Sequence, residues 1–468
     1  GTRPHRHRHL RSGGGAMRRV ALAAVVTVLA SLPVKAGPDI LRERTVAGIA
    51  YKRIPLGEAP MQTIQFLWLD GSPLALAGKA ALSALGPAMM HEGPRGEKRG
   101  EIQELMSDLQ ASFRFAASGE TVTLTLTAPP ESLPAAANVL KRFLEAPGFP
   151  ERRLETHRRA RILGTRQSLA SGDTIAGQLR LRFLLEPGAH RDFLRIDPEH
   201  YATVSVADVA DWKARVMARD TAIIATSGPV GREAIAAEID KLVGVLPERA
   251  RRSDPPPLAF RSFGKRIVYE KPDAAQTIIV AYGPTTIAPG RERFKADLAL
   301  ARLGGGAQGR LFRVLREKLG ATYGVSAGTD QMALGRFAFA IRTSVSHDKA
   351  AAVIEEIGRE YRRWREDGVT DAELQAAKSQ ARSSWSESMK QPGTVASMAV
   401  LAEVIGLGDV TFADFAAARE AVTREEINAY IRAHFPQWPL GLVIVAPKAD
   451  GLGADCVIKA LEEAARCE

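Results

Sequence analysis

The chain has 468 residues, of which 45% are hydrophobic and 25% charged, a globular composition with too much chain for one ordinary core, so two or more domains are expected. Its net charge of +11 invites a polyanion partner, but Arg3, Arg6, Arg8, Arg11, Arg18, Arg19 and Lys35 fall in the first 36 residues without an acid, leaving 57 basic against 53 acidic residues elsewhere. The excess belongs to the leader, so no nucleic-acid partner is expected.

The leader reads as a secretory signal over Met17–Ala36. Met17-Arg18-Arg19 is a positive start, Val20 to Leu32 an apolar run short for a membrane span, and Val34-Lys35-Ala36 a small-x-small cleavage site before Gly37. An uncleaved anchor is the alternative. Residues 1–16 precede a natural start at Met17. Export implies a periplasmic or secreted protein, free of the membrane once the signal is removed.

Downstream, Thr45 to Tyr51 and Met61 to Asp70 have strand character, and Gly71-Ser72 breaks the second. Helices are expected over Gly78 to Met90 and Glu101 to Leu109. Phe113 to Ala117 and Glu120 to Ala128 read as a hairpin, TVTLTLT being strictly alternating. Pro134 to Glu145, Glu151 to Ser168 and Asp208 to Val216 read as helices, and Ala222 to Thr226 as a buried strand. Arg249 to Leu258, RARRSDPPPL, is a charged, proline-rich linker.

The order then repeats. Lys265 to Glu270 and Gln276 to Tyr282 are strands, with a break at Gly283-Pro284. Arg293 to Leu303 is helical, Phe337 to Thr343 a strand, Asp348 to Glu366 a long helix, Asp371 to Met389 a helix capped by Thr370, and Leu440 to Ala446 a closing strand. A spacing of about 210 residues argues for internal duplication, with FLWLDGS (66–72) and IIVAYGP (278–284) in equivalent slots. Cys456 and Cys467 lie in the tail. They can bridge in an oxidising compartment or stay free, and two cysteines cannot make a four-ligand zinc site.

The most informative stretch is Leu303 to Gly328, LGGGAQGRLFRVLREKLGATYGVSAG. Gly304, Gly305, Gly306 and Gly309 make a flexible entry. Leu311, Phe312, Val314, Leu315 and Leu319 follow helical spacing, Gly320 offers a stop, and Thr322 to Ala327 reads as a strand around Tyr323 and Val325. Arg316 and Tyr323 then stand on adjacent elements. A guanidinium and a phenol are both donors, suited to a peptide carbonyl or a developing oxyanion. The glycine run lacks the G-K-[ST] ending of a phosphate loop.

LGGG, RLF and LREKLGATYGV resemble the C-terminal half of the pitrilysin or insulinase-like family, the inverted zinc peptidases. The resemblance covers roughly residues 40–447, helped by Lys271-Pro272 through Gln276 and by GVTDAEL from Gly368. It implies an α+β fold of two homologous α/β-roll domains in a clam-shell: residues 37–248, a linker at 249–258, and residues 259–468. It implies that Arg316 and Tyr323 bind substrate and stabilise the transition state at a zinc held by another half or subunit. It places Gly304, Gly305 and Gly306 at the substrate chamber.

The family's active members carry an H-x-x-E-H helix in the first half and a later Glu. Counting back from Gly93, that window falls on Ala84-Leu85-Gly86-Pro87-Ala88, where Pro87 should also disturb the helix. The later Glu falls near Arg161 to Thr165, where no acid stands. No two of His91, His157, His190, His200, His347 and His434 are spaced for one helical face, and His91-Glu92 reads as a solvated turn. The expectation is a chain without a metal of its own: the non-zinc subunit of a two-chain zinc metallopeptidase. Zinc would sit in a homologous partner, and a peptide would be the substrate. The alternative is a catalytically inert structural or peptide-binding homologue.

Overall fold

The computed structural model describes residues 37–70, 72–75, 79–195, 197–251, 253–261, 264–322 and 324–468. The leader at 1–36 and Tyr323 lie outside the described residues.

Two six-stranded mixed sheets carry the fold. The first comprises β1 (Leu41–Arg44), β2 (Ala50–Pro55), β3 (Gln62–Leu69), β4 (Ser112–Ala117), β5 (Thr121–Ala128) and β6 (Ile223–Gly228), in the order β1-β2-β6-β3-β5-β4. The second comprises β7 (Arg266–Glu270), β8 (Thr277–Pro284), β9 (Val325–Ala333), β10 (Arg336–Val345), β11 (Gly441–Ala446) and β12 (Cys456–Ile458), in the order β12-β7-β11-β8-β10-β9. In each sheet a late strand of the half inserts between two early ones: β2 runs parallel to β6, and β7 parallel to β11. Five consecutive positions, β2-β6-β3-β5-β4 and β7-β11-β8-β10-β9, correspond one to one, so the duplication read from strand and helix order is present in the topology.

Each half supplies helices, most of them to its own sheet. In the first these are α1 (Leu82–Met90), α2 (Arg99–Asp108), α3 (Leu133–Glu145), α4 (Glu151–Leu169), α5 (Gly172–Leu184), α6 (Val206–Val216) and α7 (Arg232–Val243). In the second they are α8 (Arg293–Gly304), α9 (Ala350–Asp367), α10 (Asp371–Ser388), α11 (Pro392–Val404), α12 (Phe412–Ala421) and α13 (Arg424–His434). The strict alternation of β5 puts Val122, Leu124 and Leu126 into the first core beside Phe66, Trp68 and Leu140. Thr370 caps α10 through a reciprocal box with Glu373.

Two helices cross between the halves. α5 lays Ile175, Leu179 and Phe183 on Val280, Tyr282 and Val443 of the second sheet. α11 lays Val395, Ala396 and Ala399 on Ile54, Leu67 and Ala225 of the first. Central strands β3 and β8 are thereby buried on both faces, which explains their near-continuous apolar runs. Buried Lys52 fastens the second crossing, reaching Glu403 at 2.6 Å and the Ala399 carbonyl at 3.2 Å. The turn after β4 meets the turn after β9, where the Leu334 N–H donates to the Glu120 carboxylate.

Several expected boundaries move. Residues 45–49 form a turn between β1 and β2 rather than a strand, because Gly48 takes a positive φ of 83°. The first helix begins at Leu82, and Pro87 lies inside it without ending it. Gly283-Pro284 closes β8 instead of breaking it. The strand expected from Thr322 starts at Val325 and continues to Ala333. Helices α5, α7, α11, α12 and α13 were not anticipated. Cys456 and Cys467 form a disulfide that ties the tail beside β12.

Candidate functional site

The glycine-rich stretch folds as a tight corner against the start of β9. A Cβ at Gly304 would lie 2.4 Å from the Ala327 nitrogen, and one at Gly305 2.4 Å from the Ala301 carbonyl oxygen. Side chains are therefore excluded at both, and Gly306 adopts a φ of 65°. The glycines bring the end of α8 into backbone contact with the sheet's outermost strand and present a bare loop surface.

The helix expected over 311–319 is only one α-turn, Arg310–Phe312, continued by a π-helical turn, Arg313–Lys318. Leu311, Val314 and Leu315 are buried, whereas Leu319 is 38% exposed. Gly320 ends the turn at φ 55°, and the Ala321 N–H returns to the Leu315 carbonyl at 2.8 Å. Lys349 donates to the Leu319 and Gly320 carbonyls at 3.1 and 3.0 Å. π-turns widen a helix locally and often accompany function. Here the turn leaves Arg316 exposed, its guanidinium 5.5 Å from the Phe312 ring.

The corner is anchored by Arg310, which forks onto Glu373 at 2.8 and 2.6 Å and donates to the Gly368 carbonyl at 2.7 Å. Burial pushes the Glu373 carboxyl up, but hydrogen bonds from Arg310 and the Thr370 N–H outweigh it and hold the group below its usual range. This anchor was legible only as the GVTDAEL phrase, because its two ends are 63 residues apart.

In the first half, the windows where the resemblance expects zinc ligands carry none. α1 packs against α4, but Leu85, Gly86 and Pro87 are buried, and Ala84 and Ala88 have no donor atoms. On α4 the span 161–165 offers only the Thr165 hydroxyl in a buried position. These residues do not fit a zinc ion. Among the described residues no group of three His, Cys, Asp or Glu side chains is placed to hold a metal.

His91 and Glu92 are not a solvated turn. Glu92, 8% exposed, accepts from His157 Nε2 at 2.7 Å, from Arg153 Nε at 2.6 Å and from Arg99 at 3.1 Å. His91 Nε2 accepts the Phe115 N–H at 3.1 Å and its ring stacks on Phe113. Burial, with Arg99 and Arg114 nearby, lowers the His91 pKa. The pair pins the end of α1 to α4 and to β4. Nearest-neighbour spacing could not reveal this, since its partners come from other elements.

Residues 203–381 match the model described as the peptidase M16 inactive domain. An uncharacterised zinc protease of Rickettsia bellii is 27% identical over 160 residues, 34% of this chain and 38% of that protein. The match therefore spans well under half of that relative's length. The non-peptidase homologue YmxG of Helicobacter pylori is 22% identical over 326 residues, 68% of this chain and 73% of its own. The crystal structure of a peptidase M16 inactive domain from Pseudomonas fluorescens superposes with a TM-score of 0.77 at 19% identity, covering 88% of this chain and 98% of that one.

Proposed function

We propose, for a chain with the M16 peptidase architecture and a match to that family's inactive domain, that it is the non-zinc subunit of a two-chain zinc metallopeptidase. A homologous subunit would hold zinc and its activated water. This chain would contribute Arg316 and Tyr323 as donors to the peptide carbonyl and the oxyanion formed from it, with Gly304, Gly305 and Gly306 beside the bound peptide. The substrate class is an unfolded peptide, and the compartment is the periplasm or the exterior, following the leader at Met17–Ala36.

The observation that carries this reading is the contrast between the halves. The ligand window at 84–88 is apolar and packed, while the second half keeps an exposed arginine on a π-turn beside a bare glycine corner. A pure scaffold has no need of the second feature.

The experiment is a mixed complex of this chain with an H-x-x-E-H-bearing homologue. Tyr323→Phe and Arg316→Ala should each cut peptide turnover by about 10²–10³ while co-elution of the two chains is unchanged. Turnover at the parent rate by both variants refutes the catalytic role. The second reading, an inert peptide-binding or structural homologue, is favoured by the similarity to the non-peptidase homologue of H. pylori. It predicts that adding the chain leaves the partner's activity unaltered.

A further inference from the structure

Where α5 crosses from the first half onto the second sheet, it leaves a cavity of about 350 Å³ between its first turns and strands β8 and β10. Arg180 forms part of its wall, and Asp173, Gly177, Gly324, Arg342 and Ser344 also line it. Gly177 and Gly324 add no side chain to its wall, and a Cβ at either would stand in open space with nothing within 4 Å.

The charge arrangement is unusual. Arg180 is only 7% exposed. Its Nη1 lies 2.9 Å from Asp330 Oδ2, an ion pair that falls short of good hydrogen-bond geometry. Arg342, from the neighbouring strand, takes the same Asp330 oxygen. One carboxylate oxygen thus serves two guanidinium groups, one of them deeply buried, and the group of three keeps a positive charge. A guanidinium buried this deeply and only half-compensated by a shared carboxylate is costly, and a further anion would offset that cost. Asp173 is exposed on the first turn of α5, and together with Asp330 it disfavours a dianion such as phosphate. A planar single charge suits the guanidinium fork better.

We propose that this inter-half cavity is a carboxylate-binding subsite that takes the free C-terminus of a peptide. The inference rests on the reading of the chain as a peptide-handling subunit. Arg180 and Arg342 supply the donors, and the two glycines give room for the last residue's backbone. The peptide is thereby held by its end, between α5 and strands β8 and β10.

The test is isothermal titration of the full chain alone, without partner or turnover, with one short unstructured peptide prepared as the free acid and as the C-terminal amide. The free acid should bind about tenfold or more tighter than the amide. Arg342→Gln, on a partly exposed side chain, should bring the two within about twofold of each other, with the amide's affinity and the melting temperature unchanged. Equal binding of acid and amide by the parent chain, including no measurable binding of either, overturns the subsite. So does a preference that persists in Arg342→Gln. Neither result bears on the Tyr323→Phe turnover test, so the two readings fail separately.

Discussion

A Cβ built on Gly86 would stand 2.6 Å from Cζ3 of Trp212, so the indole occupies the space that any side chain at this position would need. Trp212 is held there by its Nε1–H, which donates to Asp70 Oδ2 at 2.9 Å. The helix that would present zinc ligands is thus packed as ordinary core. Gly86→Ala should destabilise the chain by about 1–3 kcal/mol, the usual range for overpacking. Urea unfolding would check this, and a midpoint within error of the parent would mean the indole moves aside freely.

The Arg310–Glu373 fork holds the glycine corner from which Arg316 projects. Both side chains are mostly buried, at 13% and 17% exposure. Glu373→Gln leaves the shape but removes the charge, and should cost about 2 kcal/mol of stability. It should also lower turnover in the mixed complex without touching the substrate. Arg310 and Glu373 are positioning residues, so their variants should raise KM less than they lower kcat. Unchanged kinetics in Glu373→Gln would separate the corner from catalysis.

The strands and their duplication were legible because period-two alternation and flanking glycines are local signals, as in TVTLTLT. The crossing helices were not. α5 and α11 bury one face against the opposite half and carry few of the charges that would mark a solvent face, so their apolar residues do not sort cleanly at helical period. The ligand-free window was legible, since chemistry absent from Ala84 to Ala88 needs no coordinates. The role of Glu92 was not, because three donors from α2 and α4 converge on it only through tertiary packing. Arg316 was legible as a residue, but not as one set on a π-turn.

Glu92 gives the fold an acid-sensitive joint. Burial raises its pKa, but hydrogen bonds from Arg153 and His157 prevail and leave it below the usual 4.5. A depressed carboxyl stabilises the fold at pH above its unfolded value, and that stability is lost as pH falls through the folded value. Glu92→Gln should therefore lose about 2 kcal/mol at neutral pH and progressively less as the pH falls through the lowered titration range of the folded carboxyl. Melting temperatures of the two proteins should converge in acid. A constant gap from pH 7 to pH 3 would show that the carboxylate is not the source.

The reciprocal crossing makes the halves interdependent in spite of the proline-rich linker. Without the second half, α5 exposes Ile175, Leu179 and Phe183, and the first sheet loses the α11 cover over Ile54, Leu67 and Ala225. Two apolar faces that are buried in the intact chain would then face water on each fragment, a contiguous exposure that soluble monomers avoid. Residues 37–250 and 251–468 produced separately should aggregate or melt without cooperativity. Produced together as two chains, they should co-purify and unfold in one transition, because the crossings require no peptide bond between them. Phe183→Ala in the intact chain should cost about 3–5 kcal/mol by the same reasoning. A first half that is monomeric and unfolds cooperatively on its own would show that the crossing only decorates two self-sufficient domains, and would predict a much smaller cost for Phe183→Ala.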